Sequence, residues 1–174
     1  METKNFSMTH AEMVECACSW LKRKYPIVIS EMVSGASETP DAIGFDSGTT
    51  TIVECKVTRA DFLRDKKKWF RQNPEQGMGN YRYFLTLPGV IKPEEVDEKW
   101  GLLIFNPETK RFRRLKEAVQ QESHLVSQQK ILISCIRRIG QTPMAGVSVR
   151  AYTHDTKQIA SVSIDCGLED GDGL

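Results

Sequence analysis

The sequence has almost no net charge: 24 Lys and Arg stand against 23 Asp and Glu, a formal +1. Bulk attraction to a polyanion is therefore weak, and any such partner has to be held by local patches. Long apolar runs are also missing. None approaches the ~18–20 residues of a membrane-spanning helix, and the N-terminal METKNFSMTH lacks the apolar stretch of a secretory signal. No membrane partner and a cytoplasmic location are expected. The five cysteines (Cys16, Cys18, Cys55, Cys135 and Cys166) are odd in number and contain no CxxC pair, and only three histidines accompany them. That argues against a structural zinc site and for reduced thiols in a cytoplasmic interior. There is no internal repeat and no low-complexity linker. What remains is 174 residues, 40% hydrophobic and 27% charged, an ordinary globular composition with enough chain for a sizeable core.

The pattern along the chain predicts an α/β fold. Residues 8–24 read as an amphipathic helix with an apolar stripe of Ala11, Val14, Ala17, Cys18 and Leu21, closed by Pro26. Strands are expected at 27–29, 41–45 and 49–57, the last two joined by the Asp46-Ser47-Gly48 turn. Thr58 is an expected N-cap, with Asp61 closing a capping box on a helix running to about residue 70. A Gly/Asn/Pro-rich loop follows at 72–80, then strands at 81–87 and 100–105, with 111–115 pairing back as a hairpin. A helix over 117–138, a late hairpin at 147–164 and a short acidic tail complete the reading. The simplest assembly is one domain with a mixed sheet flanked by helices, residues 1–118 forming the core and 119–174 an extension packed on it.

Chemistry concentrates in residues 31–56. Along the third strand Glu54 and Lys56 lie two residues apart, so they share one face while Val53, Cys55 and Val57 share the other. Pro40-Asp41 opens the preceding strand, and arms of similar length around the turn let Asp41 meet Glu54 at one end. Twelve residues separate the two acids. Two converging carboxylates suit Mg²⁺, which takes one or two carboxylates and fills its shell with water and phosphate oxygens. A neighbouring lysine can orient or deprotonate the attacking water and offset charge on phosphorus. A solvated ion pair is the ordinary alternative for an acid and a lysine two apart on a strand; the combination with Asp41 across a hairpin favours the site.

Through Pro40-Asp41 and Glu54-Cys55-Lys56 the sequence resembles the PD-(D/E)XK nucleases. Glu31, the run from Val53 through Arg59, Asp61, Phe62 and Arg64 to Asp65, and then Lys68-Trp69 are similar to the mitomycin-sensitivity (MmcB-like) DNA repair branch. Tyr83-Phe84 and residues 100–104 continue the similarity, which covers roughly residues 12–118. The loop at 72–80 and the chain after about Val119 depart from that branch. The resemblance implies a restriction-endonuclease-like mixed sheet, Asp41 and Glu54 as metal ligands, Lys56 as the catalytic lysine and a 5′-phosphate product. Glu31 matches a further acidic position and is carried as a third ligand, with a surface role open. Glu15, from the first helix, is weighed for the same site and read as a surface residue. His10 is read as a packing histidine, and Trp69, Phe62 and Trp100 as core.

Two segments concentrate positive charge. Residues 56–71 carry seven basic side chains against Asp61 and Asp65, and residues 110–116 carry five with no acid. Flanking a metal site, such clusters bind phosphates in a salt-dependent way; the alternatives are a solvated helix face and a strand edge protected by charge. Candidate nucleic-acid contacts are Arg59, Arg64, Lys66, Lys67, Lys68, Tyr81, Arg82 and Arg113. Tyr81 either stacks on a base or sits in the core. The expectation is a Mg²⁺-dependent deoxyribonuclease, with Mn²⁺ able to substitute, in DNA repair, recombination or mobile-element processing. Its DNA substrate is duplex, single-stranded or branched, and a homodimer is compatible. The rival classes are a nuclease-fold protein that binds nucleic acid without cutting it, and a purely structural or inhibitory protein.

Overall fold

The computed structural model describes residues 8–139. Thr9 caps the first helix, α1 (His10–Leu21), by accepting from the Glu12 amide, while the Glu12 carboxylate accepts from the Thr9 amide. This reciprocal box sets the start two residues later than periodicity predicts. Met13, Val14, Ala17 and Leu21 form the buried stripe; Ala11, expected within it, is exposed.

Six strands form one mixed sheet in sequential order: β1 (Ile27–Ser30), β2 (Ala42–Phe45), β3 (Thr50–Lys56), β4 (Tyr81–Thr86), β5 (Gly101–Asn106) and β6 (Arg111–Lys116). The first three run antiparallel as a meander, β3, β4 and β5 are parallel, and β5–β6 is the expected antiparallel hairpin. The expected α/β class, a mixed sheet flanked by helices, is what the chain forms. Pairing sorts the side chains by face. Ala42, Val53, Cys55, Tyr83, Leu85, Leu103 and Phe105 pack under α1 in one core cluster. Ile43, Ile52, Glu54, Lys56, Phe84 and Leu102 alternate with them and face the other way.

The crossover from β3 to β4 covers that second face. Thr58 caps α2 (Arg59–Asp65) as expected, but Asp61 returns its bond to the Thr58 hydroxyl, at 2.9 Å, instead of the backbone. The helix does not reach residue 70. It stops at Asp65, tight turns carry the chain through the three lysines, and α3 (Trp69–Gln72) restarts from Lys68. In a continuous helix residues six apart point in different directions; the break returns Arg71 to Asp65, 2.6 Å away. Phe62 anchors α2 edge-on to Phe84, which stacks on Trp100 with centroids 4.5 Å apart.

The segment expected to be helical from 117 has no regular secondary structure up to 124, and α4 spans Leu125–Ile139. The chain divides into two units between Ile131 and Leu132. The first contains the sheet and all that follows here; the described part of the second is the last turns of α4. The late hairpin and the acidic tail lie outside the described residues, as does Cys166. Cys16, Cys18, Cys55 and Cys135 are free thiols, and among the described residues no helix is long and apolar enough to cross a membrane.

Gly101 marks a tight point in the second crossover. A Cβ there would lie 2.1 Å from the Tyr83 ring, which is fixed through its hydroxyl by donating to Glu117 and accepting from the Ala118 amide. Gly101→Ala is expected to lose about 1–3 kcal/mol of stability through overpacking. Urea denaturation measures this, and an unchanged midpoint would contradict it.

Candidate functional site

The second sheet face carries a buried charge network. The Lys56 amine lies 3.1 Å from Glu54 Oε2 and 3.2 Å from Asp65 Oδ1. Arg71 reaches three acids at once: Nε donates to Asp65 Oδ2 at 2.6 Å, Nη1 donates to Glu38 Oε1 at 2.8 Å, and Nη2 is 3.2 Å from Glu54 Oε2. The remaining Glu38 oxygen accepts from the Met78 amide. Lys68, 44% exposed, enters from the rim, 2.9 Å from Asp65 and 3.8 Å from Glu54. Aromatic rings close over Arg71, with Trp100 4.2 Å and Phe70 4.9 Å from its guanidinium carbon. Three acids thus face three cations, which is how charges persist in a dry interior.

The network sets the protonation states. Burial works against the Asp65 carboxylate, but Arg71 and Lys56 overcome it and hold its pKa at about 2. Burial likewise opposes the Lys56 cation, yet Glu54 and Asp65 push its pKa above the ordinary value, so the amine stays charged. Glu38 is raised, first by burial and then, against the pull of Arg71, by Glu54.

Asp41 stands at the open side of this cluster. The register brings Ala42 opposite Val53, which sets Asp41 beside Glu54 at the end of the strand pair. One Asp41 oxygen accepts from the Cys55 amide at 2.7 Å; the other lies 3.4 Å from His10 Nε2. Burial, and then the charge of Glu54, raise its pKa to about 6. Glu54 Oε1 is buried with no hydrogen-bond partner. An orphaned acceptor beside a second carboxylate that already holds its proton too tightly fits one divalent cation bound by two carboxylates, with water and phosphate oxygens completing its shell. A larger ligand set is not gathered: among the described residues no three His, Cys, Asp or Glu side chains converge to hold a metal. Glu31, expected as a third ligand, sits in a left-handed turn at φ 47°, half-exposed, with one carboxylate oxygen 3.7 Å from His10 Nε2.

The basic residues divide. Arg64, Lys66 and Lys67 are exposed around α2, with Arg64 paired to Asp61 and Lys66 lying over the Phe62 ring. Arg59 is clasped through both guanidinium arms by Glu95. Tyr81 is half-buried at the start of β4, 5.5 Å from the Lys24 amine. Arg113 is exposed on β6, three strands and roughly 14 Å from β3. Arg82 is not a surface contact. It is 1% exposed, and its guanidinium donates to the carbonyls of Gly77, Gly79 and Glu122, stitching the 72–80 loop to the segment before α4. Phe62 and Trp100 are core, but Trp69 is 55% exposed. His10, read as a packing residue, is 45% exposed beside Asp41. Glu15 is exposed, as expected.

Sequence reasoning missed Glu38 altogether and counted Arg71 among surface cations. No periodicity links Glu38 to the site. The signal for Arg71 was its place directly after Trp69-Phe70, where a cation next to aromatics has rings to pack against.

No family model and no curated protein matches this chain. Among solved structures the chain is similar to a protein of unknown function from Silicibacter pomeroyi, with a TM-score of 0.57 and 18% identity, covering 82% of this chain and all of that one. The likeness is one of fold.

Arg71→Met is expected to cost about 3–5 kcal/mol, because it leaves three buried acids short of a cation. Arg71→Lys should not restore the loss, since one amine cannot serve acids in three directions; chemical denaturation of both variants measures this. The raised pKa of Asp41 has a consequence of definite sign. Between about pH 4 and pH 6 the folded chain holds a proton on Asp41 that the unfolded chain has released, so this contribution to stability falls as pH rises through that window. Asp65 acts in the opposite sense at lower pH, losing its contribution only as pH drops from about 4 towards 2. Melting curves should therefore show Asp41→Asn gaining on wild type from pH 4 to pH 7. A constant difference across that range would contradict it.

Proposed function

We propose that this protein is a metal-dependent nuclease that hydrolyses DNA phosphodiester bonds, as the PD-(D/E)XK resemblance implies. The observation that carries the reading is the pairing of Asp41 with the unpartnered, buried Glu54 Oε1, two residues before a buried and charged Lys56. Asp41 and Glu54 would hold Mg²⁺ or Mn²⁺, which when bound supplies Lewis-acid polarisation of a phosphate oxygen. Lys56 is a fixed cation. Its raised pKa suits it to offsetting charge that develops on phosphorus, and not to taking a proton from water. Asp41 must lose its proton before it can act as a ligand, so activity should rise with pH through about 6. Lys68 is the cation best placed to leave the network and meet a phosphate, being half in solvent already.

One observation favours a second reading, a nucleic-acid binder that does not cut. Glu54 Oε2 and the Lys56 amine are already paired within a charge-balanced network, which needs no metal to offset them. The two readings part on one assay. Plasmid, linear, single-stranded and branched DNA are incubated with Mg²⁺ or Mn²⁺, and Lys56→Ala is the control. The nuclease reading expects cleavage that chelation abolishes and that Lys56→Ala lowers at least about 100-fold. Wild type no faster than Lys56→Ala on every substrate, with DNA affinity indifferent to the divalent ion, would establish the binder instead.

A further inference from the structure

Trp69 is the largest apolar side chain left in solvent on the first unit: 55% of it is exposed, although tryptophan is ordinarily well buried. Its position is held firmly. Residues two apart on a helix point away from one another, and Arg71, two residues on, is drawn inward by Glu38, Glu54 and Asp65. Fixing Arg71 inside therefore fixes Trp69 outside. Its other neighbour in the chain, Lys68, sends its amine to within 3.8 Å of Glu54. Lys68 before it and Arg71 two residues after it thus reach the candidate site, while the Trp69 ring turns to solvent.

The surroundings are cationic. Lys66, Lys67 and Lys68 are exposed in the turn leading to Trp69, and Arg64, paired with Asp61, is exposed near the end of α2 just before it; Leu63, 47% exposed, adds apolar surface on that helix. A protein partner is met by an aromatic patch with a mixed polar rim. An aromatic plate inside a run of cations instead matches a flexible polyanion that carries flat rings. Duplex DNA offers its bases only by their edges, because their faces are stacked inside the helix. An unpaired base has a face to give, and stacking on an aromatic side chain is the sequence-tolerant mode by which single strands are held.

We propose that Trp69 is a stacking platform for an unpaired base and that the 64–69 turn makes this protein a single-strand binder at the rim of its site. The preferred DNA is then single-stranded or carries an unpaired segment next to the phosphate at Asp41 and Glu54. The proposal rests on the nuclease reading for the role of that site, but the binding mode does not need cleavage.

The test is binding of a labelled oligothymidylate and of a duplex of equal length to the full chain in EDTA, followed by fluorescence anisotropy. Trp69→Ala should weaken oligothymidylate binding about tenfold and leave duplex binding as in wild type, while Trp69→Phe keeps most of the single-strand affinity. Oligothymidylate should also quench wild-type tryptophan emission, and Trp69→Phe should remove that quench. Trp100 is core, and Trp20 packs on Tyr83 across the sheet. Equal loss on both DNAs, no loss on either, no single-strand binding by wild type, or an intact quench in Trp69→Phe would each overturn the proposal. Trp69-dependent binding without any cleavage under Mg²⁺ would sink the nuclease reading alone. Cleavage without Trp69-dependent binding would sink this one alone.

Discussion

The Arg71 guanidinium, shared among Glu38, Glu54 and Asp65, is the interaction on which the second face of the sheet depends. It ties the loop before β2, the middle of β3 and the end of α2 to one point. Each acid comes from a different element, and a planar fork of fixed donors is the only side chain that can serve all three. The helix break after Asp65, the inward turn of α3 and the packing of Trp100 and Phe70 all follow from bringing that fork inside. Buried charge of this kind adds little net stability compared with a well-packed apolar core. It does penalise every arrangement in which one partner is missing.

Against this balanced network, Asp41 is the unbalanced member. Six charges cancel within the cluster, and Asp41 adds a further acid at its open side, next to the Glu54 oxygen that has no partner. Burial first, and then the charge of Glu54, raise the Asp41 pKa, and the orphaned Glu54 oxygen beside it lacks a cation of its own. That asymmetry sets Asp41–Glu54 apart from the rest of the polar interior. It also explains why Lys56, held charged between Glu54 and Asp65, is better understood as a fixed cation than as a base.

Much of this was legible beforehand, for definite reasons. The 41–57 hairpin, the shared face of Glu54 and Lys56 and the approach of Asp41 to Glu54 follow from strand alternation and a turn signal, which act over a few residues. Thr58 as a cap follows from the same local chemistry. The basic segments were less readable, because composition reports that cations are present and not where they point. Arg82 spends its donors on carbonyls, Arg59 is clasped by Glu95, and Arg71 is buried, while Lys66 and Lys67 remain at the surface. Trp69 was placed inside on residue type, and His10 on its position near the apolar stripe of the first helix. The first is turned out by its neighbour's ion pairs, and the second is drawn to the mouth of the site by Asp41.

By itself, the sequence determined the succession of strands along the chain, the hairpin around the 46–48 turn and the shared face of acid and lysine on β3, since each depends on periodicities that neighbouring residues carry. Only the tertiary structure decided which charges are consumed and which remain available. Glu38 and Arg71 are 33 residues apart and Arg59 and Glu95 are 36 apart. No repeat or motif encodes such distances. They are set by how the crossover helices settle on the sheet, where the cost of burying a charge alone forces each one to find its partner.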